Sequence, residues 1–121
     1  MTWLWVALAG GVGAVVRHLA HTAAHRAGQP STRATLAVNW VGSFAIGIVT
    51  GLGVDVVPAA IAVPITAGLL GGFTTFSTAS VEAAELWRDG RHGAAVGLSG
   101  VMLLGSVVAA ALGWWVATLP R

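Results

Sequence analysis

Apolar residues run along this chain in four long blocks, with little of the two-residue alternation that a strand would show. Each block reaches the ~20 residues needed to cross a hydrocarbon core. They extend from about Trp3 to Ala24, Ala34 to Val54, Val57 to Trp87 and Gly93 to Leu119. Polar residues gather between them, in a connector from His25 to Arg33, a short turn around Asp55 and an Arg88-Asp89-Gly90-Arg91 turn. Connections this short force neighbouring helices to run antiparallel. Trp3 and Trp5, then Trp87, Trp114 and Trp115, lie at block ends, where tryptophan anchors a span to the membrane interface. Met1-Thr2-Trp3-Leu4-Trp5 lacks the positive n-region of a cleaved signal peptide, so the first block reads as a mature span.

The third block is too long for one straight crossing. Residues 71–78 inside it read Gly-Gly-Phe-Thr-Thr-Phe-Ser-Thr. Two glycines weaken a helix, and four hydroxyl side chains compete for its backbone hydrogen bonds. Irregular backbone at membrane depth persists only where it is buried in protein or lines a water-filled path. The pattern predicts a helix broken near the bilayer midplane, with Pro58 and Pro64 near its start. Gly47 with Gly51, and Gly93 with Gly97, have the small-xxx-small spacing that lets helices approach closely; packing within the bundle is the reading for either pair.

Composition sharpens this picture. The 121 residues are 56% hydrophobic and 8% charged, far below the ~25% charged residues of a soluble domain. Residues 1–121 are expected to form one four-helix membrane domain. Cysteine is absent, which excludes disulfides, thiol catalysis and cysteine-ligated metals. The basic pI near 11.3 rests on six scattered arginines with no lysine, not on the basic stripe of a nucleic-acid protein. Arg26, Arg33, Arg88 and Arg91 share one side of a four-span chain, with Arg17 nearest that side, against Arg121 alone on the other. The positive-inside rule then puts both termini outside a plasma membrane that the chain crosses several times.

A few polar groups lie at membrane depth. Arg17, two-thirds of the way along the first span, either snorkels to the interface or faces the bundle interior and brings positive potential to an anion path. Asn39 either makes an interhelical hydrogen bond or offers its NH2 group to an anion. Glu82 and Glu85 share a face after the break; Glu85 is near enough to the interface to be solvated, and Glu82 is deep enough to anchor a hydrogen-bond network. His18, His21 and His25 have spacing that resembles a metal pair, but an interfacial face explains them without a completing ligand. The run Phe73, Thr74, Thr75, Phe76, Ser77, Thr78 combines hydroxyl donors with electropositive aromatic ring edges, a setting for a small anion. Carbonyls freed at the break could hold a cation. No nucleophile–base pair or phosphate loop is visible, so no enzyme activity is expected.

Gly10-Gly11-Val12-Gly13-Ala14-Val15-Val16-Arg17, Asn39-Trp40-Val41-Gly42-Ser43-Phe44 and the 71–78 run occur in this order. Together they resemble the CrcB/Fluc family of fluoride channels, across all four spans. The resemblance implies an all-α membrane protein with a broken third helix, working as an antiparallel dimer that exports fluoride passively. It also implies a structural sodium ion at the dimer interface, bound by main-chain carbonyls of Gly71 and Thr74. By position, Phe76 matches the first of two phenylalanines whose edges line the fluoride path. Ser77 and Thr78 match the polar track beside it, Asn39 a pore-facing asparagine, and Glu82 a third-span glutamate near that track. With Arg17, these are the fluoride-path candidates.

Two positions depart from the family pattern. Ala79 stands where the second phenylalanine belongs, and the fourth span has no tyrosine, leaving Ser99 and Ser106 as its polar residues. Phe73 lies on the wrong side of the motif to substitute. An antiparallel homodimer also needs nearly unbiased charge, because one sequence must insert both ways. The arginine bias therefore favours a heterodimer with a homologous chain of opposite orientation over a homodimer. Competing readings are a non-conducting structural partner and a small drug/proton antiporter, which needs a first-span carboxylate that this chain lacks.

Overall fold

The computed structural model describes residues 1–119 and is entirely helical apart from its connections. Helix α1 is Thr2–Arg26, α2 Ser31–Leu52, α3 Ala59–Val63, α4 Gly71–Phe73, α5 Phe76–Arg88 and α6 His92–Thr118; a π-helical segment, Pro64–Leu70, joins α3 to α4. Four stretches are long and apolar enough to cross a membrane: Thr2–Arg26, Ser31–Leu52, Ala59–Arg88 and His92–Thr118. The chain is a multi-pass membrane protein. The first connector is shorter than the polarity of residues 25–33 suggests. Helix α1 runs through Arg26, and α2 starts at Ser31 behind Pro30, which has the extended backbone of a helix N-cap. Arg33 thus lies in the first turn of α2, its Nη1 donating to Gln29 Oε1 at 2.7 Å. Gly53, with φ 72° and ψ 170°, takes a positive-φ conformation open essentially only to glycine and ends α2 before the Asp55 turn. Arg121, the lone arginine of the opposite side, lies outside the described residues.

The interior is assembled from small groups. Buried apolar positions are Ala34, Val38, Leu70, Ala79, Ala95 and Met102, whereas Trp3, Trp5, Leu103 and Leu104 face outward. This is the distribution expected of a bundle in lipid, where close backbone approach replaces hydrophobic exclusion from water. The α2–α6 pair is the most extensive helix contact. Gly47 lies against the Ala110 carbonyl, Gly113 against the Phe44 carbonyl, and Trp40 covers Gly105. On the other side, α1 packs along the π segment and α4. Gly13 sits against the Leu69 carbonyl and Gly72 against that of Gly10. Gly10, Gly13 and Gly72 therefore pack backbone on backbone and bring the middle of α1 beside the π segment and α4.

Pro64 opens the π segment; without an N–H it cannot continue the α-helical ladder, and the wider turns follow it. Between α4 and α5, Thr74 (φ −74°, ψ 159°) and Thr75 (φ −147°, ψ 116°) are extended. The α5 helix restarts at Phe76 with Thr75 as its N-cap, Thr75 Oγ1 accepting from the Thr78 N–H at 3.2 Å.

Candidate functional site

The extended pair Thr74–Thr75 is held from two sides. From α2, buried Asn39 uses both ends of its amide: Nδ2 donates to the Thr75 carbonyl at 2.9 Å, and Oδ1 accepts from the Thr75 N–H at 2.8 Å. The same Nδ2 also lies 3.3 Å from Met102 Sδ on α6. From α1, half-buried Arg17 donates through Nη1 to the Thr74 carbonyl at 3.1 Å. Both backbone groups of Thr75, which helical pairing would otherwise satisfy, thus find partners on a side chain. Arg17 turns inward to this backbone instead of snorkelling along its own helix. Asn39 makes the interhelical bond and also borders the cavity described next.

Around the N-terminus of α5 lies a small set of polar groups. Thr75 Oγ1 bonds the Thr78 hydroxyl at 3.0 Å and lies 3.3 Å from Ser77 Oγ. The first amides of α5 have no intrahelical acceptor, so this end carries a partial positive charge. Phe76 projects from the same turn and is 86% exposed. A cavity of about 440 Å3 opens here between α2, α5 and α6. Asn39, Thr75, Phe76 and buried Ala79 border it, with Ser43, Ser80, Ser99 and Ser106 spaced along its walls.

Glu82 forms a second cluster one turn further along α5. Its Oε1 accepts from Ser31 Oγ at 2.7 Å and from Thr35 Oγ1 at 3.1 Å, and Thr35 is fully buried. Its Oε2 is buried without a hydrogen-bond partner among the described residues. Glu85 is exposed.

The structure thus gathers Asn39 and Phe76 on one cavity, places Ser77 and Thr78 on the hydroxyl cluster beside it, and sets Arg17 on the neighbouring backbone. Glu82 stands apart in its own network. Sequence reasoning placed Thr75, the residue on which these bonds converge, in the hydroxyl run without a role of its own, quoted Ser43 only within a motif, and passed over Met102. Ser43 was findable: it lies four residues after Asn39, on the same helix face. Among the described residues no group of three histidine or acidic side chains could hold a metal ion.

Gly71 and Thr74 bear on the expected cation. The Thr75 N–H goes to Asn39 and not back to the Gly71 carbonyl, and Gly71 is exposed. The Thr74 carbonyl has a second lone pair beside the one that Arg17 takes. Main-chain carbonyls such as these are hard oxygen donors, the chemistry a monovalent cation takes.

Comparison with known proteins gives a consistent family. Residues 4–115 match the model of the CrcB-like protein, Camphor Resistance (CrcB) family. A fluoride-specific ion channel FluC of Chelativorans sp. (strain BNC1) is 44% identical over 115 residues, covering 93% of this chain and 92% of that one. Fluoride-specific ion channel FluC 2 of Cutibacterium acnes is 41% identical, covering 93% and 94%. A FluC of Mesorhizobium japonicum is 38% identical and covers 94% of each chain. With the family model and these relatives spanning nearly its whole length, this chain belongs to the CrcB-like family.

Proposed function

We propose that this chain is a subunit of a fluoride channel that lets fluoride leave the cytoplasm passively across the plasma membrane. The observation that carries the reading is Phe76, exposed at the N-terminus of α5 with hydroxyls and an Asn39-held backbone break around it. Fluoride is small and strongly hydrated, so a path that dehydrates it must offer donors in place of water. Here these are the Ser77 and Thr78 hydroxyls, the free amides at the start of α5 and the Phe76 ring edge, with positive potential from Arg17. Asn39 borders the same path and fixes its backbone, and Glu82 holds the neighbouring segment to α2. The names of the relatives support fluoride as the ion.

The third span is read as broken near the midplane at Thr74–Thr75. The dimer is antiparallel: Phe76 and the open side of its cavity need a second wall, which a homologous subunit of opposite orientation supplies. Sodium would be held by the Gly71 and Thr74 carbonyls of each subunit; it would supply fixed positive charge that keeps these backbones together. The termini lie outside, and the arginine bias makes a heterodimer the favoured assembly. A second reading, a non-conducting partner subunit, draws on Ala79, which offers the cavity a methyl group where the family pattern has a ring.

Fluoride efflux from liposomes separates the two. The chain is reconstituted alone and with a co-purified homologue. Efflux that is lost with Phe76→Ala in this chain supports the channel reading. Efflux from the pair that is indifferent to this substitution identifies the chain as a structural partner, and absence of efflux from both preparations sinks the fluoride reading.

A further inference from the structure

The three histidines of α1 take no part in that path. His18, His21 and His25 share one face near the end of the helix, and with Thr22, Gln29 and Ser31 they line a separate cavity of about 300 Å3. Ser31 belongs to two places at once: it borders this cavity and donates to Glu82 Oε1 at 2.7 Å. The cavity therefore abuts the network at the start of α2, on the connector side of the proposed path.

The charges around it are few. Helix α1 contributes Arg17 and Arg26 beside the histidines; α2 contributes Arg33, tied to Gln29. Helix α5 contributes Glu82, one of whose oxygens is already engaged by Ser31 and Thr35. The π segment and α4, which pack against α1, carry no titratable side chain. No metal-holding group forms here among the described residues. Three imidazoles around one cavity, with one acid already engaged by Ser31, form a positive site when they carry protons.

We propose that this cavity is a proton-switched vestibule for small monovalent anions, filled when the histidines are protonated and feeding the path through the Ser31 side. Binding to the vestibule stands on the cavity itself; feeding the path rests on the fluoride-channel reading. Anion binding and imidazole protonation reinforce one another, because each favours the other's charged partner.

Histidine ring NMR on the purified full chain tests the binding. The rings are titrated from pH 8 to 5 in sodium fluoride or chloride, against a matched solution of a bulky organic anion. The expected result is an upward shift in the midpoints of His18, His21 and His25 with the small anions. His92, stacked on Trp87 with ring centroids 4.2 Å apart, stays where it was and serves as the internal control. Unmoved midpoints, or a shift shared equally by His92, would overturn the vestibule. In liposomes with the homologous partner, lowering the pH from 8 to 6 should raise wild-type fluoride flux, corrected for protein-free leak, by roughly tenfold, the low end of electrostatic focusing in a cleft. The His18→Gln/His21→Gln/His25→Gln variant should match wild type at pH 8 and lack this rise. A rise that persists in the variant assigns the effect to another group, such as Glu82, and overturns the feeding role. Flux missing at both pH values sinks the channel reading instead, and the ring titration then decides the vestibule alone.

Discussion

Asn39 commits its whole amide to one backbone residue, and that makes it the most sensitive single position in the chain. Replacing it with alanine leaves the Thr75 N–H buried with no partner, while the Thr75 carbonyl, at the N-cap, keeps its place in the α5 ladder. A typical interhelical hydrogen bond in a membrane contributes only about 0.6 kcal/mol. An orphaned buried backbone group costs about 1–3 kcal/mol, and this second figure governs because Thr75 is buried and its segment has no helical ladder to return to. Asn39→Ala should therefore lower stability by about 1–3 kcal/mol, read as an earlier unfolding midpoint in detergent, and an unchanged midpoint would refute the clamp. Phe76 predicts the reverse. Its side chain is 86% exposed in the subunit, so Phe76→Ala should change subunit stability by no more than about 0.5 kcal/mol while reducing fluoride flux at least tenfold. Both residues stood out in the sequence, Asn39 as an amide at membrane depth and Phe76 by family position. That Asn39 serves Thr75 was not legible, because the pairing joins residues 36 positions apart and depends on where the third span loses its helical ladder.

Helix packing shows where spacing informs and where it stops. Gly47–Gly51 and Gly93–Gly97 have the same sequence pattern, yet the structure treats them differently. A Cβ at Gly47 would collide with the Ala110 carbonyl on α6, and one at Gly51 would meet the Trp114 carbonyl at 2.7 Å. At Gly93 and Gly97 nothing lies within 4 Å. The obstacle at Gly47 is backbone, which cannot swing aside, so Gly47→Ala must push α2 away from α6. Destabilisation of about 1–3 kcal/mol is expected, comparable to overpacking a tight core. Gly97→Ala meets no neighbour and replaces a poor helix former, so subunit stability should hold or rise by up to about 1 kcal/mol. Thermal unfolding of the two variants in one detergent checks both, and equal losses would show that the spacing alone decides. The span boundaries were legible to within a few residues because block length and polarity set them. The π winding after Pro64 was not, since proline marks a defect in the ladder without saying how the following turns absorb it.

At the scale of the molecule, orientation decides what the chain can assemble with. Four arginines flank the spans on the connector side and Arg121 alone on the other, with no lysine anywhere to offset them. Each of these arginines lies within the ~15–20 residues of a span end that weigh in topology. On the proposed reading a sequence with such a bias inserts one way, and a chain that inserts one way would not supply both halves of an antiparallel pair. A reporter at the C-terminus should thus behave as external only: an alkaline phosphatase fusion active, a fluorescent-protein fusion dark. Replacing Arg33, Arg88 and Arg91 with glutamine leaves Arg26 against Arg121. Both fusions should then give signal, because the arginines left flanking the spans, one on each side, no longer choose between the two insertions. The same variant should gain homodimers that one-way insertion would deny the unmodified chain, detectable by crosslinking in the membrane. If the unmodified chain already lights both reporters, the bias is too weak to fix its direction, and the argument for a heterologous partner falls with it.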